Sequence, residues 1–503
     1  MELIASLFFL SSGLFLGWSL GANDASNVFG SAVGSRMVRF STAAFLCSVF
    51  VIIGAVSAGA GASGGLEALG SVNALAGSFT TALAAAVTVY WMTRLGLPVS
   101  TTQAVVGAIV GWNWFSGSIT DPGQLAKIVG TWVFCPILAG LFSALLYFLA
   151  VRWIGRLKPH LLRLDANVRF GLLLGGIFGS YSLGANNIGN VMGVFVDSSP
   201  FRDIRFENGW EFSGLQQLFL LGAIAIAVGV YTFSRRVMMT VGGSLMTLSP
   251  MGALVVVVSN SLVLFIFSSS ALSNQLVNVG LPAIPLIPVS SSQAVIGAVI
   301  GIGCLQGIKG LRQVRWGVLV RIASGWVTTP LIAAVVGLCM LFVVQNVFGA
   351  QVYKEVFFQI TPPVLQRLAS QGIPISDLPV QVKPIGQAVR FRKELRRQVR
   401  LSPSEEQLAI ASAEIDPTTV DSSRLKDLDP AFLSPDQRAA IAGLEGRSFR
   451  HRWQLEEALA QQSSAWRMGV DRPGNEHQNK QLQQQMRTLA KLFLVSGESS
   501  DHP

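Results

Sequence analysis

The chain has 503 residues, 51% of them hydrophobic and 13% charged, with a formal net charge of +10. Residues 1–350 carry 17 Lys or Arg and 9 Asp or Glu, which leaves 20 and 18 for the last 153 residues, so a long apolar part is followed by a polar, nearly balanced one. The basic excess lies in short clusters between hydrophobic runs, as membrane orientation signals do, and this argues against nucleic acid as a partner.

A run of about 20 apolar residues crosses the hydrocarbon core as a helix. Ten such runs stand near 3–35, 40–60, 72–94, 98–115, 128–151, 170–196, 215–234, 250–273, 282–303 and 322–348. They predict an all-α polytopic membrane protein. The first run lacks a basic n-region and a clear cleavage site, so it is expected to be retained. Cys47, Cys135, Cys304 and Cys339 stand singly, which reads as packing thiols. His160, His451, His477 and His502 all lie outside the runs, so no intramembrane histidine relay and no bound cofactor is expected.

Between Glu2 and Arg36 the only charge is Asp24, inside "GANDASN". The stretch is too long for one upright helix at about 1.5 Å per residue, so a break is expected at Gly21, Ala22 and Asn23. Freed carbonyls with the Asn23 and Asn27 oxygens and the Asp24 carboxylate would form an oxygen cluster for a small hard cation, Asp24 being the candidate Na⁺ ligand. The alternative is that Asp24 caps a helix at the interface.

The next motif, "PVSTTQ" at 98–103, puts a proline and a hydroxyl run where a helix starts. Ser100, Thr101 and Thr102 offer O–H donors beside the free N–H groups of a helix N-terminus, a site for an anion that needs no Lys or Arg.

Both phrases return. "SLGANDASNVFG" (19–30) matches "SLGANNIGNVMG" (182–193), "PVSTTQAVVGAIVG" (98–111) matches "PVSSSQAVIGAVIG" (288–301), and "TWVFCP" (131–136) matches "GWVTTP" (325–330). The chain therefore reads as two homologous transmembrane halves, 1–160 and 165–350, followed by a soluble, partly disordered or short-helical tail at 351–503. Recurrence brings Asn186, Asn187 and Asn190 into the cation set, and Ser290, Ser291 and Ser292 into the anion set, and argues for sites over caps and packing residues.

Five crossings per half, an odd number, imply inverted repeats. The positive-inside rule agrees: Arg36, Arg39, Arg94, the Arg152–Arg169 cluster, Arg235, Arg236 and the Lys309–Arg321 group all fall inside, with Lys127, Arg202 and Arg205 the exceptions. The N-terminus and the tail are then expected outside, in a multi-pass protein of the cell membrane. Gln103 and Gln293 follow the hydroxyl runs, and a carboxamide both donates and accepts. Monoprotonated phosphate needs an acceptor and sulfate does not, so both oxyanions stay open.

Taken together, "GANDASN" and "PVSTT" resemble the inorganic phosphate transporter (PiT) family of sodium- or proton-coupled phosphate symporters, over residues 1 to about 350. The resemblance implies inverted repeats with discontinuous helices, phosphate held by Ser100, Thr101, Thr102, Ser290, Ser291 and Ser292, and the coupling cation by Asn23, Asp24 and Asn27. Three departures stand out: Asn187 where the family usually has Asp, Gln103 and Gln293 where His is common, and the tail. The expected function is ion-coupled import of inorganic phosphate, not an enzyme activity. A sulfate or other oxyanion permease of the same fold, or an anion channel, are the alternatives, and a homo-oligomer is left open.

Overall fold

In the computed structural model, residues 2–67, 69, 70, 72–95, 99–201, 203–206, 211–244, 248–373, 380, 381, 383–427, 432–469 and 476–494 are described. Pro98 and Arg202 lie outside these residues. The chain forms two compact units, Met1–Lys354 and Glu355–Pro503.

The first unit is helical, as its apolar runs predict. In chain order it holds α1 (Glu2–Gly34), α2 (Phe40–Ala58), α3 (Ala60–Glu67), α4 (Leu75–Arg94), α5 (Thr101–Ser116), α6 (Pro122–Leu157) and α7 (Leu161–Met192), the last continued by a 3-10 turn. Then follow α8 (Gly214–Thr232), α9 (Ser234–Ser244), α10 (Pro250–Ile266), α11 (Ser270–Asn278), α12 (Ser291–Leu305), α13 (Gly307–Gln313) and α14 (Trp316–Asn346). Each of the ten apolar runs carries one of the longer helices. Among the described residues, six helices are long and apolar enough to cross a membrane, or up to seven if α10 and α11, bent by 69°, form one broken span. α5 and α12, with 16 and 15 residues, extend only about 24 Å and fall short of a hydrocarbon core of about 30 Å.

The expected break at Gly21–Asn23 is absent: α1 is helical from Glu2 to Gly34, and α7 runs unbroken through Asn186 and Asn187. The glycines there serve close packing. A Cβ on Gly21 would overlap the carbonyl oxygen of Ile226 in α8, and one on Gly184 would overlap that of Val51 in α2. Helices that approach so closely bury their amide side chains against neighbours, which supply the partners that would otherwise be sought in unwound backbone. The unwound segments lie elsewhere, before α5 and before α12.

Contacts between the halves come in matched pairs. Gly21 of α1 meets α8 as Gly184 of α7 meets α2, and Gly229 meets Trp18 as Gly54 meets Tyr181. α5 packs on α14, where a Cβ on Gly107 would overlap the Pro330 oxygen, and α12 packs on α6, where one on Gly297 would overlap that of Pro136. Each half's short helix thus leans on the proline-bearing helix of the other.

The second unit is built of short helices around two apolar clusters. α15 (Pro362–Ser370), α16 (Ala388–Gln398) and α17 (Pro403–Ala413) bury Phe358, Leu368, Phe391 and Ala413. α18 (Pro435–Ala442), α19 (Arg452–Gln462) and α20 (Glu476–Leu492) bury Ile441, Leu459, Trp466 and Phe493. The "SPSEE" and "SPDQ" phrases are helix starts. Ser402 and Ser434 cap the backbone three residues on, Pro403 and Pro435 fill the first turn, and Glu405 and Gln437 reach back to close the box.

His451 is buried here, with Nδ1 2.6 Å from the Glu414 carbonyl oxygen and its ring stacked on Trp453. Burial holds its pKa below the ordinary 6.5, with the Glu414 carbonyl opposing and the Arg450 charge assisting. The folded unit then binds fewer protons than the unfolded chain, so this residue's contribution falls as pH drops below about 6.5. Glu414 and Asp416, raised by burial, act in the opposite sense. Hydrogen exchange of the Ser448–Trp466 amides in the intact protein isolates the histidine: on acidification wild type loses more protection than His451→Gln.

Two further substitutions test the packing. Gly107→Val and Gly297→Val, which force a helix off a carbonyl, each cost about 3 kcal/mol or more and collapse the monodisperse peak in detergent. Gly155→Ala, with nothing within 4 Å of its Cβ, leaves it unchanged.

Candidate functional site

The recurring motifs converge in one buried cluster. α5 and α12 start at Ser100 and Ser290, whose extended backbones (φ −92°, ψ 118° and φ −83°, ψ 110°) make them N-caps. Their hydroxyls accept from the Gln103 and Gln293 amides at 3.4 and 3.3 Å. The first amides of each helix, at 101–102 and 291–292, have no intrahelical partner to bind. Pro288 does not start a helix: it sits two residues before the cap, because serine satisfies an orphan N–H that proline cannot.

The two N-termini face each other. Thr102 Oγ1 donates to the Val289 carbonyl at 3.5 Å, and Ser290 and Ser292 share a hydroxyl contact of 3.1 Å. The amides of α1 and α7 then cross over. Asn27 Nδ2 donates to Ser291 Oγ at 2.9 Å, and its repeat counterpart Asn190 donates to Thr102 Oγ1 at 2.8 Å and to Asn187 Oδ1 at 2.9 Å. Each half's amide thus holds a hydroxyl of the other half. Asn23 Nδ2 donates to Asp24 Oδ1 at 2.8 Å and to the Val99 carbonyl at 2.9 Å, while Asn186 Oδ1 accepts from Val289 N at 2.9 Å.

Asp24 is 3% exposed, and no ion pair among the described residues includes it. The Ser291 hydroxyl is turned toward the same carboxylate. Several atoms of the cluster are buried without partners: the acceptors Asn23 Oδ1 and Asn190 Oδ1, the donors Asn186 Nδ2 and Asn187 Nδ2, the hydroxyl of Thr101, both polar atoms of Gln103, and Gln293 Oε1. The Asp24 carboxylate with the unpartnered Asn23 oxygen next to it offers oxygen ligands of the kind a hard cation takes. Free backbone N–H groups, hydroxyls and amide donors at the facing helix starts suit an oxyanion.

All fourteen residues singled out from the sequence are buried in this region. Others escaped that reading. Asn260 in α10 donates to the Asn27 carbonyl at 3.2 Å and leaves its Oδ1 unpartnered, and its signal was a polar "SNS" in an apolar helix. The Cys135 thiol, taken as packing only, reaches the Ser290 carbonyl at 3.6 Å.

A model of the phosphate transporter family matches residues 20–167, 157–337 and 286–373. The "Putative phosphate permease" of Methanocaldococcus jannaschii is 28% identical over 339 residues, 67% of this chain and 95% of that protein. "Sodium-dependent phosphate transporter 1" of Mus musculus is 31% identical over 224 residues, 42% of this chain and 30% of that one. A solved structure titled "The sodium-dependent phosphate transporter" superposes with a TM-score of 0.53 at 23% identity, covering 68% of this chain and 98% of that one, which shows a shared fold. With the matched segments spanning most of the helical unit that holds the site, the chain is a multi-pass membrane protein that belongs to the phosphate transporter family.

Proposed function

We propose that the chain is a secondary active symporter that imports inorganic phosphate with a coupling cation, Na⁺ or H⁺. The names of two relatives, each sodium-dependent, favour Na⁺. Asp24 carries the reading: it is a buried carboxylate with no ion-pair partner among the described residues, joined through Ser291 to the start of α12. An unpaired buried charge costs several kcal/mol, and a bound cation or proton removes most of that cost. The Asn23 and Asn27 side chains complete an oxygen-donor set beside Asp24 that fits a hard monovalent ion. Arrival of the ion alters the Asp24–Ser291–Asn27 contacts and so the donors that the anion meets.

Phosphate is assigned to the two helix starts, with Ser100, Thr101 and Thr102 on one side and Ser290, Ser291 and Ser292 on the other, and Gln103 and Gln293 behind them. Each N-terminus contributes about 0.3–2 kcal/mol toward an anion. Residues 1–160 and 165–350 are taken as inverted repeats, so that rocking one against the other opens the site to each side in turn. A net positive charge moved inward gains about 2.3 kcal/mol per 100 mV.

In proteoliposomes, wild type concentrates phosphate under an inward Na⁺ or proton gradient, and Asp24→Asn only equilibrates it. Accumulation by the variant equal to wild type would return Asp24 to the role of a helix cap. Asn27→Ala removes the hydrogen bond to Ser291 and Asn190→Ala those to Thr102 and Asn187, and each raises KM for phosphate about 3- to 10-fold. Inversion is tested with single cysteines in intact cells: an impermeant thiol reagent labels positions 118 and 199 and spares their repeat counterparts 308 and 36. The reverse pattern reverses the orientation, and equal labelling within each pair removes the inversion.

A further inference from the structure

Four side chains at the proposed substrate helices leave polar groups without partners, and they form two matching pairs. Gln103, 0% exposed, has neither carboxamide atom bonded, and Gln293, 1% exposed, has an unpartnered Oε1. On the helices that pack against them, the indole Nε1 atoms of Trp326 and Trp132 are buried and unpartnered too. A single orphan of this kind is a local cost. The same donor and acceptor orphaned at both ends of a repeat ask for a shared role.

Helix register puts the members of each pair on facing turns, with neither indole N–H bonded to a Gln Oε1 in this structure. α5 faces α14 along a stripe of four-residue steps, with Gly107 against Pro330 and Gly111 against Ala334. The order shows the two helices running parallel. One turn back, the same stripes carry Gln103 and Trp326. Val99, 3.6 Å from the Cβ position of Gly325, shows that α14 reaches the start of α5. The second half repeats this: Gly297 lies against Pro136 and Gly301 against Gly140, so one turn back stand Gln293 and Trp132.

We propose that Trp326 and Trp132 are positioning residues for Gln103 and Gln293: when the oxyanion binds, a side-chain rotation brings each indole N–H onto the neighbouring Gln Oε1, so that the carboxamide Nε2 donors turn toward the anion. The inference rests on the oxyanion reading of the two helix starts. An indole has a donor and no acceptor, so of the two carboxamide atoms it can engage only the oxygen. A carboxamide left free to rotate presents its oxygen to the anion as readily as its nitrogen, and that encounter is repulsive. Pinning removes the wrong rotamer as the substrate arrives, so that the Nε2 donors rather than the oxygens meet the anion.

Phosphate uptake into proteoliposomes tests this through double-mutant cycles. Trp326→Phe and Trp132→Phe keep an aromatic ring and lose the N–H; each raises KM for phosphate about 5-fold with Vmax within about twofold of wild type. Gln103→Met raises KM similarly, and adding Trp326→Phe raises it no further, whereas adding Trp132→Phe multiplies the effect. A tryptophan that only fills space would give multiplicative effects in both combinations, which overturns the pairing. Phe variants with wild-type KM overturn it as well. If a variant transports too slowly to fit, the phosphate-induced rise in Tm of the detergent-solubilised protein carries the same cycle. Wild type that takes up no phosphate overturns the reading beneath, and this inference with it, whereas a transporting wild type confines failure to the Trp–Gln pairs.

Discussion

The central constraint is the price of polarity at membrane depth, where no water satisfies a buried amide, hydroxyl or carboxylate. Asn27, Asn190, Thr102 and Ser291 meet it by bonding across the repeat: an amide of one half donates to a hydroxyl at the helix start of the other. Asn23 and Asn186 bond to the chain just before the short helix of their own half, so the cluster is held both within the halves and between them. Close helix packing at Gly21, Gly184, Gly107 and Gly297 is the condition for those crossings, since a single methyl at any of them would drive a helix away from a carbonyl.

The repeat is symmetric in its contacts and asymmetric in its charge. Asp24 and Asn187 occupy matching positions, but only the first is a carboxylate. Around Asp24 an unpartnered acceptor, Asn23 Oδ1, remains; around Asn187 the unpartnered atoms include two donors, Asn186 Nδ2 and Asn187 Nδ2. One side of the pseudo-symmetric pair is therefore suited to a cation, and the other lacks the charge that would hold it strongly.

Much of the helical unit was legible because its signals are collective. Ten apolar runs and three repeated phrases each follow from residue types at fixed spacing, whereas the N-cap roles of Ser100 and Ser290 emerge only from the backbone before α5 and α12. The continuity of α1 was not legible. Gly and Asn lower helix propensity in isolation, yet Gly21 is where α8 approaches and Asn23 finds partners at Asp24 and Val99, so tertiary packing outweighs the local preference. Asn260, Trp132, Trp326 and Cys135 escaped notice for a related reason: each is a single polar or polarisable group in an apolar helix, and its meaning depends on what lies opposite.

The placement of the breaks bears on how such a protein moves. Unwinding within α1 would put exposed backbone in the helix that also carries Asp24, and each change of the break would disturb the cation ligands. Here the unwound chain lies before α5 and α12, both too short to span, while α1 and α7 stay continuous and hold the asparagines in fixed register. Hydroxyls and free amides sit on the shorter elements, and the carboxylate sits on a rigid one. Displacing α5 moves Val99 and reaches Asp24 through Asn23, and displacing α12 moves Ser291 and reaches Asp24 through its hydroxyl, so these two contacts are where the proposed anion and cation sites are mechanically joined.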